Sequence, residues 1–289
     1  MKGLKKSLLN NTWLRRLIFL PKAEEGELHC WQNFHSAALH RDVKIDIYLP
    51  PDYFRHPEQT YPLLVFNDGQ DMEAVGLIKR LNTLYRSRKL NPLIIVAIHA
   101  GDRMHEYGTS GQLDYKKRGN KAKKYQHFLK GELLPKLRTR YRITTEVSQM
   151  AIAGFSLGGL SALDIAWNHP DLFSKVGVFS GALWWRSQPF DPADPDAHRI
   201  MHNLLEKSSR QPPLKFWFQT GTHDEKEDRN NNGIIDSIDD TMDLMAILKN
   251  KGYSDRDITY LEVPGGEHNP HTWGMVLPEF LIWGFGGES

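Results

Sequence analysis

The chain has 289 residues, of which 40% are hydrophobic and 25% are charged, a composition typical of a globular protein. Lys and Arg together number 37 against 35 for Asp and Glu, so no strong positive field indicates nucleic acid as a partner. No apolar stretch approaches the roughly 18 to 20 residues that a membrane-spanning helix needs. We therefore expect one large domain with neither a nucleic-acid partner nor a membrane span.

Residues 1–26 form a basic segment, which is predicted to precede a single domain spanning residues 27–289. Apolar residues recur in this segment at near-helical spacing, namely Leu4, Leu8, Leu14 and Ile18. The pattern is typical of a helix on a membrane surface, but a basic helix packed on the body of the protein is the favoured interpretation. Polar residues interrupt the apolar run, so no signal peptide is recognised and the sequence predicts a cytoplasmic protein.

Cys30 is the single cysteine, which excludes an intrachain disulfide bond and fits a reducing compartment. No motif that would activate a thiolate surrounds it. We therefore expect Cys30 to be a small, buried, apolar residue.

Seven short apolar runs are predicted to be strands. Continuous apolar runs are typical of strands that are buried on both faces, as in a parallel sheet covered by helices. The predicted strands span residues 43–50, 61–68, 92–99, 149–156, 175–181, 214–221 and 257–265.

Segments of helical periodicity alternate with these strands, which predicts a doubly wound α/β fold. The predicted helices span residues 73–89, 121–138, 157–167, 237–251 and 271–283. The longest insertions are a polar region at 101–120 and a proline-rich stretch at 185–213. Long loops at the carboxyl edge of such a sheet usually build or cover a site.

The residues Gly154-Phe155-Ser156-Leu157-Gly158 match the pattern G-x-S-x-G between a predicted strand and a predicted helix. A serine in such a tight turn takes strained backbone angles, and its neighbours two positions away must be small. The turn raises the Ser156 hydroxyl above the sheet edge, where the amide of Leu157 can donate to a developing oxyanion. We predict that Ser156 is a nucleophile; the alternative is a serine N-cap in a helix-packing turn.

A serine nucleophile needs a base to remove its proton, and His268 is the favoured candidate. It follows a predicted strand and a Gly-Gly turn, and it precedes Asn269 and Pro270, which are predicted to be an N-cap and a first helical position. His271 is the second candidate, but the first helical turn would hold its side chain on the helix surface.

The base needs a carboxylate to orient it, and in the expected chain order this acid lies between the serine and the histidine. The predicted strand 214–221 leads into a loop that contains Asp224, which is the preferred acid. Glu225 and Asp228 stay open as alternatives because the position of an acid within such a loop is weakly specified.

A second oxyanion donor is expected in the loop after the predicted strand 61–68. Gly69 in that loop allows close approach of the backbone to a reacting carbonyl, which makes the amide of Gln70 a candidate donor. An ordinary Asp-Gly turn is the alternative interpretation.

These motifs resemble a known family. "YLPPDY", "DGQDM", "HEY", "AIAGFSLGGLSAL", "SGALWW" and "GGEHNPHTW" are spread over most of the chain. They are similar to the esterase family that includes enterochelin (siderophore) esterases, feruloyl and acetyl-xylan esterases, and S-formylglutathione hydrolases. The resemblance implies an α/β-hydrolase fold, with a mostly parallel sheet and helices on both faces. It also implies that Ser156 is the nucleophile and His268 the base, supports Gln70 as a donor, and places Trp184 and Trp185 near the substrate pocket.

The stretch "DRNNNGIIDSIDD" has oxygen-bearing residues at the spacing of an EF-hand loop. The candidate ligands of a structural calcium ion are Asp228, Asn230, Asn232, the Ile234 carbonyl, Asp236 and Asp239. An Asx-rich turn capped by carboxylates at a helix N-terminus is the favoured alternative.

The residues predict a serine esterase that acts on a small-molecule carboxylic ester through an acyl-enzyme intermediate and needs no cofactor for catalysis. Two alternatives stay open. An acyltransferase could use the same triad, and a catalytically inactive hydrolase fold could serve as a binding module.

Overall fold

Eight strands form one sheet in the computed structural model, which describes residues 25–287. The basic segment 1–26 thus lies outside the described residues except at its end. The strands are β1 Glu27–Ser36, β2 Arg41–Leu49, β3 Leu63–Asn67, β4 Ile94–Ile98, β5 Met150–Phe155, β6 Lys175–Phe179, β7 Lys215–His223 and β8 Ile258–Glu267. Their order is β1-β2-β4-β3-β5-β6-β7-β8, and β3 to β8 are mutually parallel whereas β1 and β2 join antiparallel.

The sheet has one more strand than the sequence predicts, because β1 lacks an apolar run. β1 is an edge strand that pairs only with β2, and most of its side chains are exposed. Cys30 lies on it and is exposed, so the expectation of a buried cysteine is wrong. Its thiol donates a hydrogen bond of 2.7 Å to Oδ1 of Asp46 on β2.

Helices cover both faces of the sheet, as predicted. They are α1 Leu77–Arg86, α2 Arg103–Glu106, α3 Ala122–His127, α4 Leu134–Arg140, α5 Leu157–Asn168, α6 Ile200–Lys207, α7 Asp236–Asn250 and α8 Pro270–Phe285. Alternate residues along the strands face opposite ways: Val65 joins a core cluster with α3, α4 and α5, whereas Phe66 joins a cluster with α1 and α8. This double burial explains why the central strands are apolar throughout.

Two predicted helices and two predicted insertions differ in detail. The helix predicted at 73–89 begins only at Leu77, because the preceding residues form turns and Gly76 has a positive φ of 66°. The helix predicted at 121–138 is interrupted by a π-helical stretch at Phe128–Leu133. The insertion 185–213 contains the unpredicted helix α6, and the region 101–120 contains the short helix α2.

Among residues 25–287, no helix is long and apolar enough to cross a membrane. The location of the protein in the cell stays a prediction.

Candidate active site

Ser156 lies at the turn between β5 and α5, with φ 53° and ψ −119°. Its backbone amide donates to the Phe179 carbonyl at 2.8 Å, and its carbonyl accepts from the Ala182 amide at 3.1 Å. A Cβ atom on Gly154 would lie 2.4 Å from the carbonyl carbon of Gly158, so the turn closes only because position 154 is glycine. The surrounding backbone therefore fixes a strained conformation and leaves the serine half-buried at the sheet edge.

Two backbone amides beside this turn have no acceptor. Those of Leu157, at the first position of α5, and of Gln70, after β3, donate to no described residue. Asp68 turns the chain after β3 with left-handed angles of φ 63° and ψ 48°. Gly69 then passes so close to β4 that a Cβ atom would lie 2.9 Å from the Ala97 carbonyl. Free amides at a helix start and a tight turn suit the stabilisation of a developing negative charge.

The register of β7 and β8 brings the predicted acid and base to neighbouring positions. His223 pairs with Glu267 across these parallel strands, so Asp224 and His268 each follow a paired residue at the same sheet edge. The Gly-Gly turn predicted before His268 is wrong. Strand β8 continues to Glu267 and includes Gly265, which has a φ of 69°. Its pairing with β7 is irregular between Gly221 and His223.

The predicted start of the last helix is confirmed. Asn269 is the N-cap of α8, and its side-chain oxygen accepts a hydrogen bond of 3.0 Å from the Thr272 amide. Pro270 occupies the first helical position. His268 therefore lies on the short connection between β8 and α8.

Asp224 has an electrostatic environment that favours an imidazole partner. Its side chain is buried, with 8% of the residue exposed, and neither carboxylate oxygen has a hydrogen-bond partner among the described residues. Burial raises the pKa of Asp224, while nearby Gly221, Ser180 and His268 lower it. Because a buried carboxylate without donors is costly, a donor from the neighbouring ring would stabilise it.

The pKa of His268 is lowered from its usual value, first by desolvation and then by the positive charge of Arg103. The negative charge of Asp224 acts in the opposite direction. The residue as a whole is nonetheless exposed. The net lowering favours a neutral imidazole at neutral pH, which is the form that can accept a proton.

The alternative candidates lie in other surroundings. His271 is an exposed residue within the first turn of α8. Asp228 accepts hydrogen bonds from the backbone amides of Asn232 and Gly233. Burial and the neighbouring carboxylates raise the pKa of Glu225 to about 7. Among these acids, Asp224 is the one whose charge acts on His268.

Trp273 and Ser180 belong to this site but are not among the residues predicted to form it. The indole Nε1 of Trp273 donates to the Ser180 hydroxyl at 2.9 Å. The indole ring stacks on Phe155, with centroids 4.7 Å apart, and meets the His268 ring edge-on at 5.4 Å. Trp273 thus links the residue before Ser156 to the predicted base. Its only signal in the sequence is its place in the motif "GGEHNPHTW".

The two tryptophans after β6 differ in exposure. Trp184 is 40% exposed and can present its ring to a ligand. Trp185 is fully buried and cannot present its ring to a ligand, and its place near the substrate pocket stays a prediction. Its indole packs on Gly108 and Gly119, with the Arg118 guanidinium 4.6 Å from the ring centroid. A substrate contact stays a prediction for Trp184 alone.

A cavity of about 460 Å³ opens beside Gln70, between α1 and the strands β1 and β2. His99 in its wall is hydrogen-bonded to Asp46 at 2.6 Å, and Lys44 and Lys79 also line it. This space, lined by both apolar and polar residues, adjoins the predicted oxyanion donor and is large enough for part of a small substrate.

The Asn- and Asp-rich loop after β7 is stabilised by contacts among its own residues. The side-chain amides of Asn230 and Asn232 donate to Oδ2 of Asp239 at 3.0 and 2.7 Å, and Asp236 forms an ion pair with Arg229. Within the part of the chain that the structure describes, no cluster of three or more His, Cys, Asp or Glu residues could hold a metal ion. The contacts favour a capped Asx-rich turn, and calcium binding stays an untested prediction.

Comparison with known proteins identifies the family. Residues 36–283 match the family model of esterases described as "Putative esterase", which covers most of the chain. The protein belongs to this family and is a carboxylic ester hydrolase.

Individual relatives are distant in sequence. The Bacillus subtilis protein YbbA is 20% identical over 247 residues, which are 84% of this chain and 92% of that protein. An Escherichia coli iron(III) salmochelin esterase is 27% identical over 154 residues, which are 51% of this chain and 36% of that protein.

Solved structures are similar over more of the chain. A ferulic acid esterase has a TM-score of 0.70 at 19% identity, covering 90% of this chain and 98% of that chain. The enterobactin esterase FES from Shigella flexneri has a TM-score of 0.68 at 21% identity, covering 90% of this chain and 59% of that chain. These similarities confirm the predicted fold, which is of the α/β-hydrolase type.

Proposed function

We propose that this esterase cleaves a small-molecule carboxylic ester by double displacement at Ser156. The Ser156 oxygen attacks the ester carbonyl carbon while His268 accepts the hydroxyl proton. The tetrahedral intermediate collapses, and the alcohol leaves with the proton that His268 returns. Water, deprotonated by His268, then attacks the acyl-enzyme, and His268 returns that proton to the Ser156 oxygen as the carboxylic acid is released.

Asp224 orients His268 and balances the charge of the imidazolium in this scheme, and the amides of Leu157 and Gln70 hold the oxyanion. The observation that carries the proposal is the serine at φ 53° beside two backbone amides that have no acceptor among the described residues. The adjacent ends of β7 and β8, which present Asp224 and His268, support it.

The hydroxyl, imidazole, carboxylate and amides supply every group that the scheme needs, so we also propose that catalysis requires no cofactor. Dialysis against a chelator should leave turnover unchanged. Loss of turnover that added metal restores would contradict this part of the proposal.

The test of the scheme is the Ser156→Ala variant, assayed with p-nitrophenyl acyl esters of different chain length. We expect its turnover to fall to the background rate, because no other group can form the acyl-enzyme. Ser174→Ala is a matched control, since its hydroxyl donates to the Val147 carbonyl near the amino ends of β5 and β6. Parent-level activity in Ser156→Ala would refute the assignment of the nucleophile.

The same panel separates the alternative functions. An acyltransferase would form more ester than acid when a second alcohol is added. A binding module would show no turnover of any ester in the unmodified protein.

A further inference from the structure

An ion pair between Arg103 and Asp68 lies beneath the turn that carries Ser156. Arg103 Nε donates to Asp68 Oδ1 at 2.7 Å and Arg103 Nη2 to Asp68 Oδ2 at 3.2 Å, and the Asp68 side chain has no exposed surface. Such a two-point contact fixes the orientation of both groups as well as their distance. Asp68 is two residues before Gln70, so the pair holds the loop of the predicted oxyanion donor.

The same guanidinium also contacts the strand that leads to the serine. Arg103 Nη2 donates to the Phe155 carbonyl at 3.0 Å, immediately before Ser156. One side chain therefore connects the loop of one predicted oxyanion donor to the strand end of the other.

Direct packing between the loop and α5 completes this arrangement. A Cβ atom on Gly158 would lie 2.0 Å from Asp68 Oδ2, so the carboxylate lies against the first turn of α5. Asn67 adds a hydrogen bond of 2.8 Å from its side-chain amide to the Gly158 carbonyl. A shift of Asp68 would thus be transmitted to the helix start at Leu157.

Arg103 is itself well supported. Its guanidinium carbon lies 5.6 Å from the centroid of the Tyr107 ring, and the Tyr107 hydroxyl accepts a hydrogen bond from the Asp68 amide. Glu106, at the end of α2, forms an ion pair with Arg41 at 2.6 Å. The Arg103 side chain is nevertheless 33% exposed.

We propose that Arg103 is a positioning residue that, through Asp68 and Phe155, sets the spacing between the oxyanion-binding amides of Gln70 and Leu157. The inference depends on the proposed function, since it assigns a role within that oxyanion site. Donors must lie within about 2.7–3.1 Å of the oxyanion, so a small displacement of either amide weakens both hydrogen bonds in the transition state.

The experiment compares Arg103→Met, Arg103→Lys and Asp68→Asn with the unmodified enzyme. We expect Arg103→Met to lower kcat by about 10²-fold, within the range for loss of one oxyanion donor, and to change KM by less than about threefold. Arg103→Lys should recover only part of kcat, because one ammonium cannot reproduce the forked contact. Arg80→Met is the matched control. Arg80 is also half-buried, but it lies on α1 and donates to the Val75 carbonyl in the turn before that helix.

The pH profile provides a readout that general destabilisation would not change. The charged groups that act on His268 are Asp224, which raises its pKa, and Arg103, which lowers it. Arg103→Met should therefore raise the pKa of His268 and move the acid limb of kcat/KM to higher pH. Arg103→Lys keeps the charge and should leave the limb near its original position.

A double variant tests whether the two residues act as one unit. Arg103→Met combined with Asp68→Asn should lose about as much kcat as the worse single variant. A double variant whose loss of kcat equals the product of the two single losses would contradict the proposal. A kcat of Arg103→Met within threefold of the parent would also contradict it. If a melting curve shows that Arg103→Met is unfolded, a parent-level kcat in Arg103→Lys would overturn the proposal.

The unmodified enzyme and Ser156→Ala are assayed beside these variants. If Ser156→Ala retains activity, the proposed function itself fails. If only the Arg103 and Asp68 variants behave like the parent, the inference fails and the proposed function stands.

Discussion

The serine turn, residues 154–158, and the acid loop, residues 221–235, both present a polar side chain at the carboxyl edge of the sheet, but they do so by different means. In the serine turn, Gly154 lets the backbone come so close to Gly158 that a Cβ atom at position 154 would lie only 2.4 Å from the Gly158 carbonyl. In the acid loop, the pairing of His223 with Glu267 places Asp224 beside His268, and its carboxylate has no hydrogen-bond partner among the described residues.

This difference separates steric from electrostatic control of a site. The serine turn is fixed by backbone contacts that any bulkier residue would break. In the acid loop, the buried carboxylate of Asp224 is stabilised by polar neighbours and by the charge of His268. Substitutions in the two regions should consequently fail in different ways.

After Ser156→Ala, the largest effect is expected from Asp224→Asn, which keeps the shape and removes the charge. We expect kcat to fall by roughly 10³–10⁴-fold, because the amide cannot stabilise the imidazolium. Since Asp224 raises the pKa of His268, its loss should lower that pKa and move the acid limb of kcat/KM to lower pH.

Steady-state kinetics across the pH range measures both effects. Glu225→Gln and Asp228→Asn are the controls, because they remove the other candidate acids. Loss of activity in one of these controls, with activity retained in Asp224→Asn, would move the acid to a different residue.

A smaller but still large effect is expected from Gly158→Ala in the serine turn. The added methyl group would lie 2.0 Å from the buried Asp68 Oδ2, and Asp68 cannot move away without breaking its ion pair with Arg103. We expect a loss of stability of about 1–3 kcal/mol together with a lower kcat.

Gly111→Ala is the matched control, since a Cβ atom there meets nothing within 4 Å. Chemical denaturation and ester turnover measure the two variants side by side. Equal stability and activity in both would show that the turn is less constrained than its contacts indicate.

The smallest effect is expected when calcium is added to the chelator-treated protein. Because Asn230 and Asn232 donate to Asp239 and Arg229 pairs with Asp236, these candidate calcium ligands already have partners without an ion. We expect the melting temperature to change by less than about 1 °C, whereas a specific ion well above its Kd would raise it by several degrees. A rise of that size, absent in Asp239→Asn, would establish a calcium site.

The sequence predicts best those features that follow from local chemistry. The parallel strands are apolar because both faces are buried, and Asn269-Pro270 marks a helix start because the side chain caps it. Glycines around Ser156 predict a tight turn, because bulkier residues would clash with its backbone.

Local sequence patterns do not predict features that depend on tertiary contacts. Strand β1 is missed because an exposed edge strand has no apolar run, and Cys30 is misplaced with it. The ion pair of Arg103 and Asp68 joins residues 35 positions apart, and no periodicity indicates it. The burial of Trp185 beside an exposed Trp184 also depends on packing against distant glycines.

Labelling with a fluorophosphonate, read by intact mass and peptide mapping, tests most directly whether Ser156 is the activated nucleophile. We predict a single adduct on Ser156 in the folded enzyme, much slower labelling in His268→Ala, and none in Ser156→Ala. An adduct on another residue, or an unmodified protein under conditions that label a known serine esterase, would contradict the account.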